Sequence, residues 1–190
     1  MKKVLLIACI ALFGFNVNAQ GVSFGAKAGV NFASLTGDDV DDLDGRTSFH
    51  IGAVAEISIS EKFSVQPELI YSAQGAKESF EGEDFELNVD YLNIPVLAKY
   101  YVAKGFSLEA GPQVGLLLSA KIKAGGEEED FKDEVKGIDF GANLGLGYKL
   151  DNGLNFSAKY IVGLANISED SDDSDVKNSV VQVSVGYSFN

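Results

Sequence analysis

The sequence predicts an all-β fold: an eight-stranded antiparallel up-and-down transmembrane β-barrel. Three observations favour it. Apolar and polar residues alternate in eight separate segments, the connections between these segments alternate between tight and long, and each segment is long enough to cross a membrane as a tilted strand. After residue 20 the chain contains no run of about 20 apolar residues, the length of a transmembrane helix. Insertion into a membrane would therefore have to use strands.

The N-terminal residues have the layout of a secretory signal peptide. Lys2 and Lys3 precede an apolar run over residues 4–15, and the small Ala19 marks a cleavage site. We expect residues 1–19 to be removed and residues 20–190 to form one barrel domain. Cys9, the only cysteine, lies in the leader, so the mature chain would form no disulfide and offer no thiol.

The first strand shows the pattern that the other seven repeat. Val22, Phe24 and Ala26 alternate with Ser23 and Gly25, which is the period of a strand with one apolar and one polar face. None of the apolar-face positions is charged, although 23% of the chain is. Lipid-facing positions of a membrane barrel are expected to be apolar in this way. The predicted strands are 22–32, 49–59, 63–73, 92–100, 106–122, 138–150, 154–164 and 181–189.

The connections indicate how the strands cross the membrane. Outer-membrane barrels have short periplasmic turns and long external loops, which places both termini on the periplasmic side. Lipid cannot satisfy a free strand edge, so the first strand should pair with the eighth. Pro67, Pro95 and Pro112 lie inside strands, where we expect bulges or positions without ladder hydrogen bonds. The predicted tight turns are 60–62, 103–105 and 151–153, and the predicted long loops are 34–47, 75–88, 124–136 and 168–178.

The strand sequences together resemble a known family, the outer-membrane β-barrel proteins of Gram-negative bacteria labelled porin family or PorT-like, small barrels of the OmpA/OmpX type. The resemblance covers residues 21–190. It implies a multi-pass location in the outer membrane after Sec-type export and tolerance of the three prolines. It implies no defined activity and no catalytic signature. The segments that carry it are FGAKAGVN (24–31), YLNIPVLAKY (91–100), GPQVG (111–115), GANLGLGY (141–148), YIVGL (160–164) and VGYSF (185–189).

Acidic residues are concentrated in the predicted loops, which hold 21 of the 28. The net charge of -13 argues against binding to nucleic acid. Carboxylates suit divalent cations and attract basic proteins, but acidic runs also simply keep loops solvated. No complete metal motif is present, so we expect no specific metal site and no cofactor. Weak cation association is expected at Asp38, Asp39, Asp41, Asp42, Asp44, Asp170, Asp172, Asp173 and Asp175.

A second set of charges falls on the polar faces of the strands. The interior of an eight-stranded barrel is only wide enough for its own side chains, and an unpaired charge there is costly. We therefore predict that these groups pair and plug the lumen, with Lys121, Lys123 and Asp139 placed higher in it. The predicted lumen charge plug consists of Lys27, Glu56, Glu68, Lys99, Glu109, Lys149 and Lys159.

These features favour a non-enzymatic integral outer-membrane barrel with acidic external loops and a structural or interaction role. The expected partners are outer-membrane lipids, with divalent cations or other envelope proteins as further candidates. One alternative is a narrow porin-like channel for small solutes. A further alternative is a soluble lipocalin-like carrier, in which the apolar faces would line the interior. His50, the only histidine, lies near Ser48 and could serve as a catalytic base, but no motif supports an enzyme.

Overall fold

The computed structural model describes residues 21–37, 43–80, 83–124, 127–168 and 175–189. The predicted signal peptide lies outside this range. Within it, no helix has the length and apolarity needed to span a bilayer. The described residues form nine strands and one short 3-10 helix, Lys132–Glu134. The strands are β1 (Val22–Gly37), β2 (Asp44–Ser60), β3 (Phe63–Phe80), β4 (Glu83–Ala103), β5 (Phe106–Ala124), β6 (Glu127–Asp130), β7 (Ile138–Lys149), β8 (Leu154–Gly163) and β9 (Val176–Phe189).

Eight of these strands close into a ring. Each is antiparallel to its neighbours in the order β1, β2, β3, β4, β5, β7, β8, β9, and β9 returns to β1, where Phe24 pairs with Phe189. The short strand β6 pairs with the far end of β5 and lies outside the ring. The predicted eight-stranded up-and-down barrel is confirmed. We call the end with the tight β2–β3, β4–β5 and β7–β8 connections the turn end, and the opposite end the loop end.

The apolar faces of the strands point outward. Phe49 and Leu144 are 55% and 59% exposed, whereas Asn31, His50 and Glu68 are buried in the interior. In the described part of the chain polar groups fill the lumen and the apolar faces lie outside, so these faces do not line a cavity as a lipocalin-like carrier would require. The soluble-carrier alternative is therefore wrong.

A bulge in β5 reverses the predicted facing of its last residues. Asp90 pairs with Ser119, but the next residue, Tyr91, pairs with Leu117, so Leu118 is the extra residue. A bulge of this kind shifts the alternation of side chains by one position. The prediction that the outward face of this strand continues to residue 122 is wrong beyond Leu118, and Ala120 is completely buried.

The three strand prolines interrupt pairing without shifting it. The β2–β3 ladder has a gap at Pro67, the β3–β4 ladder at Pro95 and the β4–β5 ladder at Pro112, and each ladder resumes in the same register. Proline has no N–H to donate, so a local gap suffices. The expected bulges are absent at these described positions, whereas the loss of ladder pairing is present.

The segment 75–88, predicted as a loop, is mostly strand. β3 continues to Phe80 and β4 begins at Glu83, so the two form a hairpin that extends past the ring at the loop end. We call the part of the sheet made by residues 76–80, 83–90 and 119–124 together with β6 the outer sheet. The many charged residues of this segment are typical of a loop, but in the hairpin Lys77 pairs across strands with Glu86.

Candidate functional site

The centre of the lumen is an ion cluster around Glu68. Its Oε2 lies 3.1 Å from the Nζ of Lys27 and 2.9 Å from the Nζ of Lys159. Gln66 donates a hydrogen bond to its Oε1 at 2.7 Å. The three charged side chains come from β3, β1 and β8 and are at most 5% exposed. Two ammonium groups therefore compensate one buried carboxylate.

A second ion cluster lies nearer the turn end. The Nζ of Lys99 is 3.3 Å from Oε1 of Glu109 and 3.8 Å from Oε2 of Glu56. Glu56 also binds Lys149 at 3.3 Å and accepts a hydrogen bond from the Tyr101 hydroxyl. These side chains point inward because they occupy the polar faces of β2, β4, β5 and β7.

Gln66 joins the two ion clusters. Its Nε2 donates to Glu68, and its Oε1 accepts from the Nζ of Lys99 at 3.0 Å. All seven charges of the predicted plug thus lie in one network, with four lysines and three glutamates. The cavity beside it measures about 20 Å³, roughly the space of a single water molecule. We call this network the lumen network.

Of the other three predicted lumen charges, Lys121 and Lys123 lie outside the lumen and Asp139 lies inside it. Lys121 and Lys123 are about half exposed and bind Glu128 of β6 at 3.1 and 2.8 Å, outside the lumen. The prediction that these lysines lie high in the lumen is wrong, because the β5 bulge turns them to the outer face. Asp139 is inside, and its Oδ2 accepts a hydrogen bond from Asn178 at 2.9 Å.

His50 is held in the lumen by two hydrogen bonds. Its Nδ1 lies 2.7 Å from Oδ1 of Asn31, and its Nε2 lies 2.8 Å from Oγ of Ser184. Ser48 does not contact it and instead donates to the carbonyl of Ala73. Ser184, His50 and Asn31 are linked in the order that the serine, the histidine and its partner have in a hydrolase. His50, however, is only 1% exposed. The imidazole is therefore shielded from solvent.

The loop end holds a cluster of buried apolar side chains. We call this group the loop-end cap. Residues of β4 and β5 line the mouth, and residues of the connections fold over them. The backbone holds this arrangement, since Ile167 donates to the carbonyl of Val176 and Lys136 donates to that of Ile167, both at 2.8 Å. The cap consists of Val89, Tyr91, Leu117, Ala120, Val135 and Ile167, with Leu35, Phe131 and Val176 packed against them.

Sequence reasoning missed the loop-end cap. Phe131, Val135 and Ile167 are isolated apolar residues in acidic surroundings. These isolated apolar residues were the sequence signal for the loop-end cap. Their contacts with Tyr91 could not be foreseen, because they depend on the β5 bulge that brings Ala120 inward.

Most of the predicted cation-associating carboxylates lie outside the described residues. Among the two that are described, Asp44 pairs across strands with Lys77, and Asp175 binds Lys177. In the described part of the chain no group of three or more histidine, cysteine, aspartate and glutamate side chains is arranged to hold a metal. The positions outside the description are Asp38, Asp39, Asp41, Asp42, Asp170, Asp172 and Asp173.

The outward face of the outer sheet and the neighbouring end of β2 together carry a row of alternating charges. From β6 to β2, the cross-strand partners are Glu128, Lys123, Glu86, Lys77 and Asp44. Hydrogen bonds from Lys123 and Lys121 hold the pKa of Glu128 below its usual range. This face is therefore largely neutralised by its own lysines.

Comparison with known proteins identifies the family. Residues 18–169 match the family model described as outer membrane protein beta-barrel domain. The chain belongs to this family. It is an outer-membrane protein that crosses the membrane with many strands. In such barrels the tight turns are periplasmic and the long loops external, which assigns the turn end and the loop end to those sides.

Solved structures share the fold at low sequence identity. Neisserial surface protein A has a TM-score of 0.62 and 15% identity, over 90% of this chain and 100% of that one. Ail, the attachment invasion locus protein of Yersinia pestis, has a TM-score of 0.54 and 17% identity, over 89% and 99%. Its complex with the heparin analogue sucrose octasulfate gives 0.54 and 15%, over 90% and 100%. Among curated proteins, no sequence matches this chain.

Proposed function

We infer that the protein is a closed, non-enzymatic outer-membrane barrel that acts by presenting its loop end to partners. The observation that carries this proposal is that the lumen is filled at two levels. The lumen network occupies the middle and the turn-end half, and the loop-end cap occupies the opposite mouth. A solute would have to displace both an ion network and an apolar cluster.

The rival function is a narrow channel for small solutes. A cavity of about 560 Å³ opens at the turn end, lined by residues that include Glu56, Tyr101 and Lys149. It leads to the lumen network, where the space beside the charges is only about 20 Å³. Considered by itself, the turn-end cavity favours entry of solutes from the periplasm. The narrow interior favours a cavity that does not continue through the barrel.

The absence of an enzymatic role is also part of this proposal. His50 is the group best suited to act as a base, and both of its ring nitrogens are engaged by Asn31 and Ser184. Catalysis requires that a nucleophile reach its substrate. The burial of His50 in the lumen supports a structural role for this polar group.

The partners we propose follow from two surfaces, the apolar belt around the barrel and the acidic loop end. Outer-membrane lipids cover the exposed apolar belt, which includes Phe32, Phe140 and Val183. Divalent cations and other envelope proteins are proposed for the acidic loop end. Ail has been solved with a heparin analogue, which is anionic. The net charge of -13 here favours cationic partners instead.

Conductance in planar lipid bilayers tests the proposal. The mature barrel, refolded and checked by the difference in migration between unboiled and boiled samples, is added to the bilayer beside a general porin as positive control. We expect no current steps from this barrel under conditions in which the porin conducts. Reproducible steps from the folded form, absent from a boiled sample, would favour the channel.

A further inference from the structure

We propose that the inner face of the outer sheet, the face that continues the lumen wall, is a docking site for a basic peptide segment with apolar residues. This inference rests on the proposed function, because it names the class of partner that the loop end takes. The outer sheet extends past the barrel ring, so a partner outside the cell has access to it. Its two faces differ in charge and polarity, and that difference selects the occupant.

The register of the strands fixes which side chains share the inner face. Leu87 pairs with Ile122, and Ile122 pairs with Glu129. One step further along the strands, Phe85 pairs with Ala124, and Ala124 with Glu127. Directly opposite residues point to the same side of an antiparallel sheet. Two apolar rows therefore lie side by side on β4 and β5, and each ends in a carboxylate on β6.

This apolar patch remains open to solvent. Phe85, Leu87, Ile122 and Ala124 are partly exposed, in contrast to Ala120 at the next position of the same face, which is completely buried in the loop-end cap. The patch is therefore the continuation of a packed apolar surface that the cap leaves uncovered. Apolar surface at the outer tip of a barrel lies beyond the lipid, and contiguous patches of this kind mark interaction sites.

Two carboxylates beside the patch have no counter-charge among the described residues. Glu127 and Glu129 are exposed, and neither forms an ion pair with any described residue. On the opposite face, Glu128 binds both Lys121 and Lys123, and Glu86 binds Arg46 at 2.7 Å. The sheet thus pairs Glu86 and Glu128 of its outward face with cations, whereas Glu127 and Glu129 of its inner face have no such partner among the described residues.

Charge complementarity determines the occupant. A peptide with alternating basic and apolar residues can cover the four apolar side chains and pair its cations with Glu127 and Glu129. A second copy of this chain would bring the same two carboxylates against each other, and like charges in contact are repulsive. An anionic glycan or nucleic acid would be repelled for the same reason.

Binding of a synthetic peptide to the folded barrel tests the site. The barrel is placed in phosphatidylcholine nanodiscs, and fluorescence anisotropy follows a labelled short peptide of alternating lysine and valine, with empty nanodiscs as background. We expect saturable binding that weakens with salt. A peptide in which glycine replaces valine should lose binding, because it keeps the charge and removes the apolar contact. A peptide of alternating glutamate and valine should not bind.

Two matched pairs of substitutions distinguish binding at this site from general attraction of the peptide to an acidic protein. Glu127→Gln with Glu129→Gln removes two charges from the inner face, and Asp44→Asn with Asp130→Asn removes two from the outward face. We expect the first pair to weaken binding about tenfold and the second by less than about twofold. Each variant is first shown to fold by its faster migration unboiled.

Several outcomes would overturn the proposal. Equal weakening by both pairs of substitutions would mean that the peptide responds to net charge alone. Binding that survives the change from valine to glycine would remove the role of the apolar patch. Dimerisation of the wild-type barrel through this face would assign it to a second copy. Bilayer conductance tests the proposed closed barrel independently of the docking site. A barrel that neither conducts nor binds the peptide refutes only the docking site.

Discussion

The Nζ of Lys159 lies 2.9 Å from the Oε2 of Glu68 in the centre of the barrel, and the two side chains are 1% and 0% exposed. Replacing Glu68 with alanine leaves both Lys159 and Lys27 without their carboxylate. Breaking a buried ion pair on one side costs about 3–5 kcal/mol of folding stability. We expect Glu68→Ala to lower the free energy of unfolding by that amount, measured by urea titration in lipid vesicles with the gel-shift as readout.

The matched control is an ion pair at the surface. Lys104 and Asp151 lie 2.7 Å apart at the turn end, but their side chains are 83% and 79% exposed. Water and salt screen such a pair, so Lys104→Ala should leave the urea midpoint nearly unchanged. A Glu68→Ala variant as stable as Lys104→Ala would show that the lumen network contributes little to folding.

Opening of the lumen should require changes at both barriers. Removing Lys99 and Glu109 together eliminates an ion pair without leaving either charge unmatched, whereas Val135→Ser with Ile167→Ser loosens the loop-end cap. We expect each double variant to stay silent in planar bilayers and the combined variant to conduct. Conductance from the Lys99→Ala, Glu109→Ala barrel alone would mean that the cap does not block passage.

Close approach of strands makes Gly29 sensitive to substitution. A Cβ at this position would lie 2.0 Å from the carbonyl oxygen of Val183 and 2.8 Å from Cε1 of His50. The backbone and a hydrogen-bonded ring cannot easily move away, so Gly29→Ala should destabilise the barrel by about 1–3 kcal/mol. Gly137 has no atom within 4 Å of its added Cβ, and Gly137→Ala is the control that should leave the urea midpoint unchanged.

The alternation of residues predicted the ring of strands and the inward placement of Lys27, Glu56 and Glu68, because facing in a regular strand depends only on position parity. The alternation did not predict the ion-pair partners of these charges, since Glu68 binds Lys27 and Lys159 from strands far apart in the chain. It also failed after Leu118, where one extra residue reverses the parity. A single sequence carries no mark of such a bulge.

The outer sheet was missed for a different reason. Its residues are charged, and charged runs are typical of loops, but Lys123 lies between Glu86 and Glu128 once the strands are paired. Cross-strand pairs of opposite charge stabilise a sheet. The pattern is visible only when the register is known, because Glu86 is distant in sequence from Lys123 and Glu128.

Attachment of β6 to β5 should weaken in acid. Hydrogen bonds and charge from Lys123 and Lys121 lower the pKa of Glu128. A carboxyl with a lowered pKa in the folded state stabilises that state above its ordinary pKa, and this contribution is lost as the pH falls through the lowered value. We expect NMR titration of the Glu128 carboxyl to show a midpoint below that of the same group in a Lys121→Met, Lys123→Met variant. Identical midpoints in the two proteins would mean that these lysines do not hold β6, and the neutralised outward face that distinguishes the two sides of the outer sheet would lose its basis.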